Sequence, residues 1–135
     1  MNDMTTNLSD LIIAHRGASF DAPENTLAAI RQAWSAGIKA VEVDVHLTKD
    51  NEVAVIHDAS TKRTTSVNSL VIDQTMHDLK QLDAGSWKDE SWVGEQIPRL
   101  TEVLATIPEG GKLIIEIKGP ASMTHWSQQS SKQSC

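Results

Sequence analysis

Apolar and polar positions alternate along the chain in blocks that predict strands and helices in turn. Residues 11–14 are an apolar run that stops at a polar cluster, residues 15–17, which predicts a buried strand ending there. From Leu27 the apolar residues recur at helical spacing until Gly37, a residue that readily takes the left-handed conformation found after helix ends. Residues 38–47 predict a second strand. A strand, a helix and a strand joined by short loops form a βαβ unit, whose two strands run parallel.

The next apolar run, residues 53–56, follows the second strand too closely for a parallel crossover. We therefore expect it to return antiparallel, as a hairpin. Residues 50–51, Asp-Asn, are of the types that tolerate turn geometry. With these two as the central pair of the turn, His57 lies opposite Asp44, a pairing that a one-residue shift of register would remove.

In the second half of the chain, the sequence predicts an irregular excursion followed by a helix and then a strand. Residues 59–98 are polar and irregular, with one short helix predicted at 74–82, and are expected to lie on the surface of the main fold. Residues 100–107 have helical spacing. Residues 112–118 alternate like a strand, and Glu116 stands near its C-terminal end. The element order is that of an α/β fold.

The second strand carries the clearest chemical signal, because three valines alternate there with two carboxylates. Side chains two apart on a strand point the same way, so Glu42 and Asp44 stand side by side with the valines packed behind them. Carboxylates this close repel each other, and a hard divalent cation with oxygen ligands relieves the repulsion. The alternative interpretation is an edge strand whose acidic face meets water.

Composition limits the classes of protein that are compatible with this pattern. The chain has 135 residues, a formal net charge of −6 and one cysteine, which indicates an ordinary globular unit. The acidic balance argues against a nucleic acid partner, and no stretch approaches membrane-spanning length. Cys135 has no partner for an intrachain disulfide, and residues 1–10 lack a secretory signal. We therefore expect a cytoplasmic protein.

Three predicted strands end in polar side chains that would meet at one end of a parallel sheet, where the ligand sites of α/β proteins lie. These side chains are His15, Arg16, Glu42, Asp44, Glu116 and Lys118. The acids could hold a metal, and the arginine and lysine could neutralise a phosphate. His15, together with His57 from the hairpin, could transfer protons.

Seven short motifs together resemble the glycerophosphodiester phosphodiesterase family, in that family's order and spacing. They are His15-Arg16-Gly17, Pro23-Glu24-Asn25-Thr26-Leu27, Glu42-Val43-Asp44-Val45, Leu47-Thr48-Lys49-Asp50, His57-Asp58, Arg63-Thr64-Thr65 and Glu116-Ile117-Lys118. The resemblance covers residues 12–120. Its specificity lies in the whole set, since each motif alone is common.

The resemblance implies a TIM barrel with an insertion after its second strand, a divalent cation such as Mg²⁺ or Ca²⁺, and a role in lipid metabolism. The implied reaction is hydrolysis of a small-molecule glycerophosphodiester to glycerol 3-phosphate and an alcohol. By this resemblance the metal ligands are Glu42, Asp44 and Glu116. His15 and His57 are the general base and general acid, in an order that the sequence leaves open, while Arg16 and Lys118 bind the phosphate.

A TIM barrel takes about 250 residues in eight βα units, so this chain predicts a partial TIM (β/α) barrel with about three of the eight strands. The predicted domain covers residues 11–120, with a hairpin-containing insertion at about 46–98. Residues 1–10 and the Ser/Gln-rich residues 121–135 are expected to be disordered. The abrupt change of composition there suggests a truncated or frame-shifted form of a longer gene, and the open sheet edges predict self-association.

Two other functions fit the same residues. A phospholipase C-like or sphingomyelinase D-like enzyme uses a similar pair of histidines and can release a cyclic phosphate. A truncated, non-catalytic fragment could instead keep a metal- or phosphate-binding half-site. The missing strands favour the second alternative, whereas the presence of all the motif residues expected in the covered region argues against it.

Several other residues favour structural roles. Glu24 is interpreted as an acid of the first helical turn, with Asn25 as a candidate support for the site. His46 is interpreted as a surface or packing histidine, and Asp58 as a turn-stabilising residue. Trp87 is expected to anchor the excursion, with contact to the substrate's alcohol group as the alternative.

Overall fold

A computed structural model describes residues 12–119 of the chain. Its strands are β1 (Ile13–His15), β2 (Ala40–Leu47), β3 (Val53–Val55) and β4 (Lys112–Ile117). Its helices are α1 (Leu27–Ser35), α2 (Lys62–Thr65), α3 (Met76–Lys80) and α4 (Leu100–Leu104), with 3₁₀ turns at Val71–Asp73 and Glu90–Trp92. The α/β element order is confirmed, although α3 and α4 are shorter than predicted. The expectations of disorder at 1–10 and 121–135 concern residues outside the described range.

Strand β2 is the centre of a four-stranded open sheet. It pairs in parallel with β1 and with β4, and antiparallel with β3. The carbonyls of Glu42 and Asp44 point to one edge of β2, where they accept hydrogen bonds from the backbone N–H groups of Arg16 and Ile56. The carbonyl of Val45 points to the other edge and accepts from Lys118 N–H. Strands β1 and β3 therefore share one edge of β2, and β4 occupies the other. The three parallel strands form a partial barrel rather than a closed one, as predicted.

Helix α1 connects β1 to β2 and covers one face of the sheet. It begins where predicted, because the hydroxyl of the N-cap residue Thr26 accepts a hydrogen bond from Ala29 N–H at 3.2 Å. Gly37, with φ of 86°, follows its C-cap. Ile30 packs with the buried valines of β2 in the main core. The interpretation of Glu24 as a first-turn acid is wrong, since no acidic residue lies in that turn.

The β1–α1 loop approaches helix α1 so closely that Gly17 has no room for a side chain. A Cβ at Gly17, whose φ is 79°, would lie 2.8 Å from the carbonyl carbon of Ala29. Gly17→Ala is therefore expected to combine a strained positive φ with a backbone clash. Gly37→Ala is the matched control, because Gly37 has a similar φ of 86° but no atom within 4 Å of the added carbon. Urea denaturation should show Gly17→Ala to be less stable than Gly37→Ala by roughly 1–3 kcal/mol. Equal stabilities would contradict the clash.

The predicted register of the β2–β3 hairpin is wrong by one residue. Val45 faces Val55, and Thr48 N–H donates to the Glu52 carbonyl at 2.9 Å. The loop thus has three residues, and the last, Asn51, takes a φ of 64°. This is the common three-residue hairpin, whereas the prediction assumed two. Asp44 consequently faces the residue before His57, and the predicted pairing of His57 with Asp44 does not form.

The excursion at residues 59–98 has a small core of its own. Its buried side chains pack with the end of the hairpin in one cluster. This cluster consists of Ala54, Ile56, Val71, Met76, Leu79, Ala84 and Ile97. Helix α3 contributes to it and is stabilised by a capping box between Thr75 and Asp78. The excursion is therefore a packed insertion beside the sheet, more ordered than its polar sequence indicates.

The open sheet leaves apolar residues exposed at its margins. Ile13 of β1 is 54% exposed and Ile114 of β4 is 43% exposed. Self-association through such edges stays a prediction. Among residues 12–119, the helices are all too short or too polar to cross a lipid bilayer.

Candidate active site

Three carboxylates meet at the C-terminal ends of β2 and β4. The parallel register of these strands places Glu116 directly beside Asp44, and Glu42 stands two residues earlier on the same face. One oxygen from each of the three carboxylates lies within 4.8 Å of the others. Asp44 is fully buried and Glu42 is 8% exposed, whereas the side chain of Glu116 is 54% exposed. Two buried acids and one accessible acid therefore form an acidic cluster that opens to solvent on one side.

The two buried acids of the cluster each have an unsatisfied oxygen. Glu42 Oε1 and Asp44 Oδ1 are buried without a hydrogen-bond partner. Burying such atoms unpaired is costly, and the oxygens of three converging carboxylates suit a hard divalent cation. The predicted ligand set therefore comes together and could hold a metal. The alternative of a solvated acidic edge strand is wrong, because β2 is the central strand and its acids are buried.

Burial and the neighbouring acids change the protonation of the cluster. Burial and then the charge of Asp44 raise the pKa of Glu42 to about 7. The pKa of Glu116 is lowered, chiefly by its hydrogen bond with Lys118, whose Nζ lies 3.2 Å from Oε2. Without a bound cation, the cluster therefore tends to retain a proton on Glu42.

This raised pKa predicts how the stability of the metal-free chain depends on pH. Because the pKa of Glu42 is about 7 in the folded state and 4.5 for an unperturbed glutamate, the folded state holds a proton that the unfolded state releases. The free energy of unfolding should therefore fall as pH rises from about 4.5 to 7, by up to about 3 kcal/mol. Urea denaturation in a chelator should show this decrease in the wild type and not in Glu42→Gln. An equal decrease in both chains would contradict the assignment.

The two candidate phosphate-binding residues lie at the same strand ends, in contact with these acids. Arg16 follows β1 with φ of 61°, and its Nε lies 3.4 Å from Asp44 Oδ2. That nitrogen is nevertheless buried without a hydrogen-bond partner. Lys118 follows β4 and pairs with Glu116. The structure thus brings both candidate phosphate-binding side chains to the acidic cluster.

Asn25 holds the buried acid Asp44 in place. Its Nδ2 donates to Asp44 Oδ2 at 3.2 Å, and its Oδ1 accepts from Asp44 N–H at 3.3 Å. Asn25 is 2% exposed and has φ of 60°, a conformation that asparagine tolerates better than most residues. Asn25 therefore supports the candidate site through Asp44, as the sequence predicted.

The two candidate catalytic histidines occupy different positions. His15, at the end of β1, is 62% exposed, and its Nε2 lies 3.6 Å from Glu42 Oε1. His57 follows β3, and its Nδ1 lies 2.7 Å from Asp58 Oδ1. The carbonyl of His57 is 2.9 Å from the Nε2 atom of His46. His15 thus contacts the acidic cluster directly, whereas His57 is held by residues around it.

Three residues around His57 have contacts that the sequence did not indicate. His46 is 8% exposed and lies against the His57 backbone, which agrees with the packing role and not with the surface role that the sequence left open. Asp58 binds the His57 imidazole and Arg63, instead of stabilising a turn. Arg63 also binds Glu24, which is 39 residues away in sequence. The Arg63-Thr64-Thr65 motif was the only signal, and a motif alone does not reveal a partner so distant.

A sequence model of the glycerophosphoryl diester phosphodiesterase family matches residues 15–133. The chain belongs to this family. The match extends beyond Pro120, the end of the resemblance read from the motifs.

Individual relatives agree with the family. The chain is 46% identical over 112 residues to a glycerophosphodiester phosphodiesterase of Caldanaerobacter subterraneus, covering 82% of this chain and 46% of that protein. The structure of an Oleispira antarctica phosphodiesterase in complex with the product sn-glycerol-3-phosphate matches with a TM-score of 0.80 and 41% identity, over 90% of this chain and 51% of that one. A Thermotoga maritima glycerophosphodiester phosphodiesterase matches with a TM-score of 0.73 and 33% identity, over 91% and 50%. The chain thus spans about half the length of its relatives.

Proposed function

We propose that this chain carries the metal-dependent catalytic centre of a phosphodiester hydrolase that cleaves glycerophosphodiesters to glycerol 3-phosphate and an alcohol. The observation that carries the proposal is the meeting of three acids with Arg16, Lys118 and His15 at one end of the sheet. The Oleispira antarctica relative, which binds the product sn-glycerol-3-phosphate, supports the same class of small-molecule substrate.

The charged groups of the site suit a phosphodiester. The acids Glu42, Asp44 and Glu116 would hold the cation, Mg²⁺ or Ca²⁺, which when bound neutralises the anionic phosphate and polarises its oxygens. Arg16 Nε is buried without a hydrogen-bond partner, and a phosphate oxygen is an acceptor that would satisfy it. Lys118 adds a second positive charge beside Glu116.

Two proton transfers complete the proposed reaction. An attacking water must lose a proton, and the departing alkoxide must gain one. His15, exposed beside Glu42, and His57, held by Asp58, are the proposed base and acid. A protein of this kind fits a role in lipid metabolism, where glycerophosphodiesters arise when phospholipids lose their acyl chains.

The proposal is tested by following glycerophosphocholine with ³¹P NMR in the presence of the 135-residue chain and Mg²⁺ or Ca²⁺. Glycerol 3-phosphate should appear with the cation and not with a chelator. A cyclic phosphate would instead indicate a phospholipase C-like or sphingomyelinase D-like reaction. A folded chain that yields no product would contradict the proposal and favour a non-catalytic half-site, since the chain spans about half of its relatives.

A further inference from the structure

Arg63 of helix α2 lies between two carboxylates and binds both in a bidentate manner. Its Nε and Nη2 donate to Asp58 Oδ2 and Oδ1 at 2.9 and 3.1 Å. Its Nη1 and Nη2 donate to Glu24 Oε1 and Oε2 at 3.1 and 2.7 Å. A planar guanidinium can serve two carboxylates in this way, whereas the ammonium of lysine cannot.

Each of these two carboxylates also contacts a residue of the proposed site. Asp58 Oδ1 lies 2.7 Å from Nδ1 of the His57 imidazole. Glu24 Oε1 accepts from Arg16 Nη1 at 3.3 Å. Arg16 in turn lies 3.4 Å from Asp44. A continuous series of polar contacts therefore runs from His57 to the acidic cluster, with Arg63 at its middle.

The two carboxylates that bind Arg63 remain ionised at neutral pH. The hydrogen bond from Arg63 is the main cause that lowers the pKa of Asp58 to about 2. Burial raises the pKa of Glu24, but the hydrogen bonds and charges of Arg63 and Arg16 outweigh it, and the net shift is downward. Two ionised carboxylates thus face two arginines, and loss of Arg63 would leave the carboxylates without their shared partner.

A second contact joins the same insertion to the loop that carries His15. Lys88 Nζ donates to the carbonyl of Ser19 at 2.9 Å, and the Ser19 hydroxyl donates to the carbonyl of His15 at 2.8 Å. Both cationic side chains also lie near the ring of Trp87, whose centroid is 5.8 Å from Arg63 Cζ and 6.0 Å from Lys88 Nζ. The insertion is therefore tied to the β1–α1 loop at Lys88 and at Arg63.

We propose that Arg63 is a positioning residue for the reaction proposed above. Through Asp58 it fixes the His57 imidazole with Nδ1 protonated, which leaves Nε2 for the substrate. Through Glu24 it fixes the guanidinium of Arg16. The role in the reaction rests on the proposed function, but the arrangement itself can be measured without turnover.

The test is the ¹⁵N NMR spectrum of the histidine side chains in the 135-residue chain, recorded at a pH where the imidazoles are neutral. His57→Gln identifies the His57 signals. In the wild type His57 should be almost entirely the Nδ1–H tautomer, and in Arg63→Gln this preference should be lost. The matched control is Lys62→Gln, which removes the neighbouring exposed positive charge on α2 and should leave the tautomer unchanged.

A folded Arg63→Gln chain that keeps the wild-type tautomer overturns the proposal, and so does a Lys62→Gln chain that loses it equally. If Arg63→Gln does not fold, the tautomer is measured in Arg63→Lys, which keeps the positive charge but cannot make bidentate hydrogen bonds to both carboxylates. A partial loss there supports the proposal and a wild-type tautomer overturns it.

Turnover separates this inference from the proposed function. Where the wild type hydrolyses glycerophosphocholine, Arg63→Gln should lower kcat about 10- to 100-fold, the range found when a residue that orients a metal ligand is lost. If Arg63→Gln changes the His57 tautomer but the wild type does not hydrolyse the substrate, the proposed function is contradicted and the positioning role of Arg63 stands. If the wild type hydrolyses the substrate but Arg63→Gln leaves the tautomer unchanged, the function stands and the positioning role is contradicted.

Discussion

Glu42→Gln is expected to lower kcat/KM for glycerophosphocholine more than about a hundredfold. Loss of a residue that merely supports a metal ligand costs about 10- to 100-fold, and loss of the ligand's own charge should cost more. Glutamine matches glutamate in size, and a neutral side chain removes the repulsion from Asp44 that contributes to the raised pKa of Glu42. The substitution should therefore leave the chain folded, and the lost activity should reflect the site alone.

Initial rates over a series of Mg²⁺ and Ca²⁺ concentrations measure this effect. Glu109→Gln is the matched control, because it removes the same charge from an exposed position between α4 and β4. The control should keep the wild-type rate. Wild-type activity in Glu42→Gln would mean that the acidic cluster is not part of the catalytic centre.

His57→Gln is expected to lower kcat by about 10²- to 10⁴-fold, the contribution that a general acid or base typically makes. The acidic cluster contains no atom of His57, so cation affinity should stay within about threefold of the wild type. His77→Gln, at an exposed position on α3, is the control and should leave kcat unchanged. A His57→Gln enzyme with kcat within threefold of the wild type would remove His57 from the mechanism.

The pH dependence of the same variants assigns the roles of the two histidines. A general base and a general acid produce the rising and falling limbs of a bell-shaped profile. His57→Gln and His15→Gln should each remove one limb, and the limb that disappears identifies the residue as base or acid. Loss of the same limb in both variants would contradict a division of labour between them.

The parts of the fold that the sequence predicted correctly are those coded by local spacing. The alternation of valines with Glu42 and Asp44 identified β2 and its acidic face, and the run after Thr26 identified α1. Parallel pairing with β4 followed from the βα pattern and brought Glu116 beside Asp44. Glu42 and Asp44 could therefore be recognised from local spacing alone. Glu116 is far from them in sequence, and it was indicated by its place near the end of a predicted strand and by the family resemblance.

The errors have a different physical origin. The hairpin register depended on whether the loop has two or three residues, and only the left-handed conformation of Asn51 decides this. The core of the excursion was not predicted, because its buried residues are scattered between Ala54 and Ile97 without a regular spacing. The Arg63–Glu24 pair joins residues that are distant in sequence, so only the folded chain reveals it. Contacts of this kind depend on topology, which local patterns do not encode.

Isothermal titration of the metal-free 135-residue chain with Mg²⁺ and with Ca²⁺ tests most directly whether the acidic cluster is a cation site. The wild type should bind one ion per chain, and Glu42→Gln should show no binding in the same range. A folded wild-type chain that binds neither ion, or equal binding by both chains, would contradict the assignment of Glu42, Asp44 and Glu116 as the ligands.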